Sequence, residues 1–115
     1  MEKIAGIGGF FFRSKDSEAL GKWYEENFGV SMNWRGGEGP TVFVPFSDKS
    51  DYFPMTQQFM LNFRVNNMEA MLKQLKANGV KIDEKTMEDR IGKFAWVYDP
   101  EGNKIELWEP SEESK

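Results

Sequence analysis

Hydrophobic positions follow two rhythms along this chain. From Ile7 to Ser14 and from Phe59 to Val65, aromatic and apolar residues crowd into short runs, which predicts strands. After each run the spacing changes. Leu20, Trp23, Tyr24, Asn27 and Phe28 recur at i, i+3, i+4, i+7 and i+8, and Met68, Met71, Leu72 and Leu75 follow the same rule. That spacing predicts two helices, each with one face on a sheet. Asp16 can cap the first helix and Asn66 or Asn67 the second, because their side-chain oxygens accept from the free amides of a first turn. Gly29 and Gly79 stand where a left-handed C-terminal residue is wanted.

Shorter extended pieces follow each helix. Val30–Arg35 and Thr41–Ser47 come after the first, parted by a glycine-rich turn at Gly36–Pro40 that lacks the Lys-Ser/Thr of a phosphate loop. Lys81–Ile82, Lys93–Tyr98 and Lys104–Glu109 come after the second, with a turn at Asp99–Asn103. Asp48–Thr56 is irregular and links the halves, and the polar end Pro110–Lys115 is expected to fray.

The two halves resemble each other. At an offset of 51, Phe12/Phe63, Arg13/Arg64, Glu18/Glu69, Ala19/Ala70, Lys22/Lys73 and Asn27/Asn78 match; after a one-residue slip Gly29/Gly79 and Val30/Val80 match as well. The same strand-then-helix order accompanies the matches. We read one α+β domain over residues 1–115, made of two strand–helix–three-strand repeats at about 4–56 and 57–110, with 111–115 as a polar tail.

Side chains alternate faces along a strand, so the pattern also separates the two sides of the sheet. Phe10, Phe12, Leu61, Phe63, Val65, Ala95, Val97, Ile105 and Leu107 are expected under the helices. Phe11, Arg13, Met60, Asn62, Arg64, Phe94, Trp96, Tyr98, Glu106 and Trp108 share the other face. Large rings with a few polar groups suit a small-molecule cavity, and they equally suit a dimer interface.

Composition narrows the chemistry. The chain has no histidine and no cysteine, which removes disulfides, thiolate and imidazole metal sites, and histidine-dependent triads. The net charge is −4, with no basic stripe for nucleic acid, and no apolar run has the length of a membrane span. No signal-peptide pattern opens the sequence, so a cytoplasmic protein is expected. Seventeen aromatic residues outnumber the sixteen Ile, Val and Leu, which points to an aromatic-rich core or to a ring-lined cavity.

The repeated unit, with GGFFFRSKD, FRVNNMEA and the closing DPEGNKIELWEP, resembles the vicinal oxygen chelate superfamily of glyoxalase I, extradiol dioxygenases and bleomycin-resistance proteins. The resemblance covers about Ile4 to Pro110. It implies two βαβββ modules whose curved mixed sheet forms a cup, and a homodimer. It also implies a divalent metal held by the first strand of each module and by a Glu near the end of the last. Carried over by position, the first-strand ligands fall on Gly9 and Met60, whose side chains do not hold a hard cation. The last-strand Glu is Glu106, and the equivalent in the first module falls near Thr41–Ser47, which contains no Glu.

The expectation is therefore a small-molecule binding protein of the glyoxalase/bleomycin-resistance type, without a metal or other cofactor. Its site is the ten-residue face named above, and its partners are a small-molecule ligand and a second copy of the chain. The alternative is a lyase or isomerase on a small oxygenated substrate, with Glu106 as base or remaining metal ligand. A third reading makes the aromatic face a dimer surface only. Glu106, if buried, needs a partner, and Arg13 or Arg64 would serve; those two arginines are repeat equivalents, which suits a structural job or a bidentate grip on an anion. Tyr52, Phe53 and Trp34 stand in or near loops as lid or rim residues. Lys93 and Tyr98 are read as structural rather than as acid–base groups.

Overall fold

The computed structural model describes residues 1–29, 31 and 39–114. Eight main elements follow in chain order: β1 (Ile4–Ser14), α1 (Ser17–Phe28), β2 (Val42–Ser47), β3 (Phe59–Val65), α2 (Met68–Ala77), β4 (Lys81–Asp89), β5 (Gly92–Tyr98) and β6 (Lys104–Pro110). A short 3-10 turn, Glu112–Ser114, ends the described chain. The α+β architecture is as expected. All but Ser31 of the strand expected at Val30–Arg35 lies outside the described residues. None of the described helices is long and apolar enough to cross a membrane.

The six strands form one mixed, open sheet in the order β2-β1-β3-β6-β5-β4. β1 pairs with β2 in parallel, and β3 pairs with β6 in parallel, so each half closes on itself by the same rule. The halves meet through the antiparallel pair β1–β3, which sets Gly9 opposite Asn62 and Phe11 opposite Met60.

The helices start and stop where their caps dictate. Asp16 Oδ1 accepts from the Ala19 amide at 3.1 Å, and Asn67, not Asn66, caps α2 through the Ala70 amide at 2.9 Å. Gly29 takes the left-handed conformation that ends α1, with φ 69°. α2 seals the aliphatic side: Val65, Met68, Met71, Ala95, Val97 and Leu107 form a buried cluster, flanked by Phe63, Leu72, Leu75, Val80, Ile82 and Ile105. α1 packs more loosely on rings, with Tyr24 5.1 Å from Phe43 and 6.3 Å from Phe12, and buries no residue fully. On the opposite side Phe11, Phe53, Met60, Phe94, Trp96 and Trp108 make a second cluster.

Two expectations are corrected. β4 runs to Asp89, far beyond Ile82, as a charged and exposed edge strand that carries no hydrophobic signal. The C-terminal end is docked rather than frayed. Ser111 donates from its amide to Ile91 O and from its hydroxyl to Arg90 O, which ties the end to the β4–β5 turn.

That turn depends on Gly92. Its φ is 141°, and a Cβ there would run into the Glu109 carbonyl and lie 2.8 Å from Trp108 Nε1. Gly92→Ala is expected to lower the unfolding free energy by roughly 2–3 kcal/mol. Urea denaturation checks this, and a loss below about 0.5 kcal/mol would contradict it.

Candidate functional site: a carboxylate enclosed by rings

β6 carries Glu106 between two neighbours by register: Asn62 on β3 and Trp96 on β5. The residue is 3% exposed. One carboxylate oxygen accepts from Asn62 Nδ2 at 2.7 Å. The other accepts from Trp96 Nε1 at 3.0 Å and from the Tyr52 hydroxyl. All three donors are neutral. The expected arginine partner is not what the fold supplies: Arg13 donates to the Ser50, Phe53 and Gln57 carbonyls, and Arg64 to the Ile7 and Pro40 carbonyls.

Burial therefore governs the titration of Glu106. Desolvation raises its carboxyl above the ordinary value, against the pull of the three hydrogen bonds and of the Lys104 charge. Tyr52 is pushed the same way, by its own burial first and then by the charge and hydrogen bond of Glu106. Both shifts hold a proton within this pair more firmly than in water.

The irregular connector brings Tyr52 here. Arg13 holds it from below, at 3.1 Å to Ser50 O and 2.9 Å to Gln57 O, with its guanidinium 4.1 Å from the centre of the Phe53 ring. Gln57, itself buried, binds the Lys104 carbonyl and amide at 2.8 Å each and Phe59 O at 2.9 Å. Lys104 Nζ donates to Tyr52 O at 2.8 Å. Phe53, 1% exposed, is the connector's anchor in the ring cluster.

Of the predicted face, Phe11, Met60, Phe94, Trp96 and Trp108 come together as rings and thioether, with Asn62, Arg64 and Glu106 buried beside them. Phe94 and Trp108 lie parallel at 5.9 Å, and Phe11 and Phe46 at 5.4 Å. Tyr98 stays outside this cluster, its hydroxyl bound to Asp83 at 2.7 Å. Lys93 sits 3.9 Å from Glu109 in a surface ion pair. The cluster is closed within one chain, so no partner is needed to cover it. The sequence placed Tyr52 and Phe53 near a lid but gave no sign that Tyr52 reaches Glu106, and Trp34 lies outside the described residues.

Register supplies a repeat-equivalent for the fourth metal-ligand position that the resemblance implies. Asn62 stands beside Glu106 as its repeat equivalent Phe11 stands beside Val44. The set is then Gly9, Val44, Met60 and Glu106, with one hard donor, and both oxygens of that donor already accept from N–H and O–H groups. A side chain at Gly9 would lie 2.7 Å from Val42 O. These residues do not fit a divalent cation, and no group of three Asp, Glu, His or Cys capable of holding one occurs among the described residues.

A mixed sheet built from two strand–helix–strand repeats that meet along their first strands is the glyoxalase class of fold. The sequence pattern of the Glyoxalase/Bleomycin resistance protein/Dioxygenase superfamily matches residues 6–107, and the chain belongs to that superfamily. Among solved structures, methylmalonyl-CoA epimerase from Mycobacterium tuberculosis is similar at TM-score 0.70 and 19% identity, over 96% of this chain and 91% of that one. A Streptomyces coelicolor methylmalonyl-CoA epimerase is similar at TM-score 0.72 and 11% identity, over 98% and 99%. A catechol 2,3-dioxygenase is similar at 0.67 and 18%, over 96% of this chain and 41% of that one. At these identities the likeness is one of fold. No curated protein matches in sequence.

Two outcomes follow from the geometry. A carboxyl whose value is raised by folding favours the folded state below its unfolded value near 4.5, and that advantage is lost as pH rises through the folded value. The stability of the wild type relative to Glu106→Gln should therefore fall as pH increases above 4.5, read by urea denaturation across a pH series; a flat difference from pH 4 to 8 would contradict it. Arg13→Lys replaces a fork that reaches three carbonyls by a single ammonium. A loss of about 2 kcal/mol is expected, together with faster amide hydrogen exchange across residues 50–57.

Proposed function

We propose that this chain is a small-molecule binding protein that holds its ligand in the aromatic cup, around Glu106, without a divalent metal. The observation that carries this reading is the donor set on Glu106: Tyr52, Asn62 and Trp96 present N–H and O–H groups to the carboxylate at the place where a cation would need its lone pairs. The ring walls supply apolar area and stacking faces, and the buried carboxylate supplies one directional contact. A homodimer is part of the proposal; its interface lies elsewhere, since the rings are covered within the chain.

One observation favours a second reading, a lyase or isomerase. Burial raises the Glu106 carboxyl toward the range in which a general base works, and two of the similar structures are named as epimerases. Against it, every hydrogen bond Glu106 accepts would compete with a substrate proton.

The test is a ligand screen by thermal shift on untagged, dialysed protein, with metal content measured alongside. Far less than one metal per chain is expected, with binding undiminished by chelator. Trp96→Phe, which keeps a ring and removes the indole donor, should weaken the ligand about tenfold. About one metal per chain, or binding abolished by chelator, would overturn the reading. Turnover of a substrate that Glu106→Gln abolishes would establish the second.

A further inference from the structure

Three donors meet Glu106, and they are held in different ways. Asn62 and Trp96 stand on β3 and β5, inside the ladder of the sheet. Tyr52 stands on a segment without helix or strand, placed by local turns such as its own amide to Ser50 Oγ at 3.3 Å and by the Lys104 contact to its carbonyl. Its phenol nevertheless has the surroundings of a bound molecule. The ring meets Trp96 edge-on at 6.1 Å and Phe46 edge-on at 5.5 Å, and the hydroxyl is aimed at the carboxylate.

We propose that Tyr52 is an internal occupant of the ligand position, and that the ligand which replaces it is a small uncharged ring bearing an O–H or N–H donor. This rests on the reading of the cup as a binding site and names the ligand class for it.

The chemistry of the position sets the class. If Tyr52 leaves, one buried carboxylate oxygen keeps only the Trp96 Nε1 bond and loses the second of its two donors, which is costly where no water replaces it. The entering molecule must therefore donate. An anion would stand against the Glu106 charge in poorly solvated surroundings. A cation would stand near Lys104 and Lys85, whose ammonium groups lie 5.5 and 5.8 Å from the centre of the Trp96 ring, and be repelled by them. A neutral ring meets neither penalty, and the walls are rings with edges and faces to offer it. Phe53 stays, because Arg13 grips its carbonyl and covers its ring. Binding then means exchange of one phenol for another donor ring, with the connector released at Tyr52 and still anchored at Phe53.

The probe is p-cresol, which is the tyrosine side chain as a free molecule. Toluene lacks the donor, and 4-methylbenzoate carries a negative charge. Each is titrated by calorimetry into the wild type, Tyr52→Ala and Tyr52→Phe, with near-ultraviolet circular dichroism confirming folding. Tyr52→Ala is expected to bind p-cresol at least tenfold more tightly than toluene, to show no binding of 4-methylbenzoate, and to bind p-cresol at least tenfold more tightly than the wild type does. Equal affinity for toluene and p-cresol, tighter binding of the benzoate, or no p-cresol binding by the folded variant would overturn the proposal. Should Tyr52→Ala not fold, Tyr52→Phe decides. That ring has lost its hold on Glu106, so p-cresol should bind several-fold more tightly than to the wild type, and equal affinity overturns the inference. A wild type that takes up screened ligands while Tyr52 keeps its hydroxyl on Glu106 (read by its NMR signal) would also overturn it, and would leave the binding function standing.

Discussion

A carboxylate buried among neutral donors, with no ion-pair contact among the described residues, constrains everything around it. Glu106 is nearly inaccessible, and the three groups that solvate it come from β3, β5 and the connector. Each donor must be delivered at the same point, so the register of β3 against β6, the register of β5 against β6 and the path of residues 48–58 are coupled through one side chain. Asn62 shows how tight the arrangement is. Its amide nitrogen serves Glu106, while its Oδ1 is buried against Gly8 without a hydrogen-bond partner among the described residues. An unpaired acceptor of this kind costs about 1–3 kcal/mol. A glycine at position 8 lets β1 approach that closely, because any Cβ there would meet the Asn62 amide.

The two halves use one plan with different fillings. At equivalent positions, Phe11 stands by Val44 and Asn62 stands by Glu106. The first pair is apolar and the second is a hydrogen-bonded pair, so the polarity of the cup lies on one side of the β1–β3 seam. The repeat-related arginines keep a common task. Arg13 gathers the carbonyls of the connector, and Arg64 gathers those of Ile7 and Pro40. Both donate to backbone carbonyls, which is a structural use of a residue that otherwise suggests an anion site.

Much of this was legible before any coordinates. Period-two alternation separated Met60, Asn62 and Arg64 from Leu61, Phe63 and Val65, and the structure puts the two sets on opposite faces. Asp16, Gly29 and Gly79 announced the helix ends through capping chemistry, which is local and therefore readable. The far half of β4 was illegible because residues 83–89 are polar or exposed, and an edge strand is fixed by hydrogen bonds to its neighbour rather than by burial. The partner of Glu106 was misassigned for a related reason. Charge pairing is the first guess for a buried carboxylate, yet one of its three donors is a tyrosine 54 residues away on a segment with no periodicity. A contact of that kind depends on where a loop lands, and loop paths leave little trace in a pattern of hydrophobic and polar positions.

The resemblance implies four positions, one on the first and one on a later strand of each repeat, as the place of a metal or ligand. Here three of the four are Gly9, Val44 and Met60, and the fourth is an acceptor already supplied with donors. On the proposed binding function, such a site has little charge to offer a ligand: Glu106 is shielded by its donors, and both arginines donate to backbone carbonyls. Discrimination would then come from shape and from the direction of single hydrogen bonds. In a closed, ring-lined interior these count for more than in water, because a polar group that enters without its partner has nothing else to bind. The connector is consistent with that logic. It fills the cup with rings and one hydroxyl, the combination that satisfies both the apolar walls and the lone carboxylate at their centre.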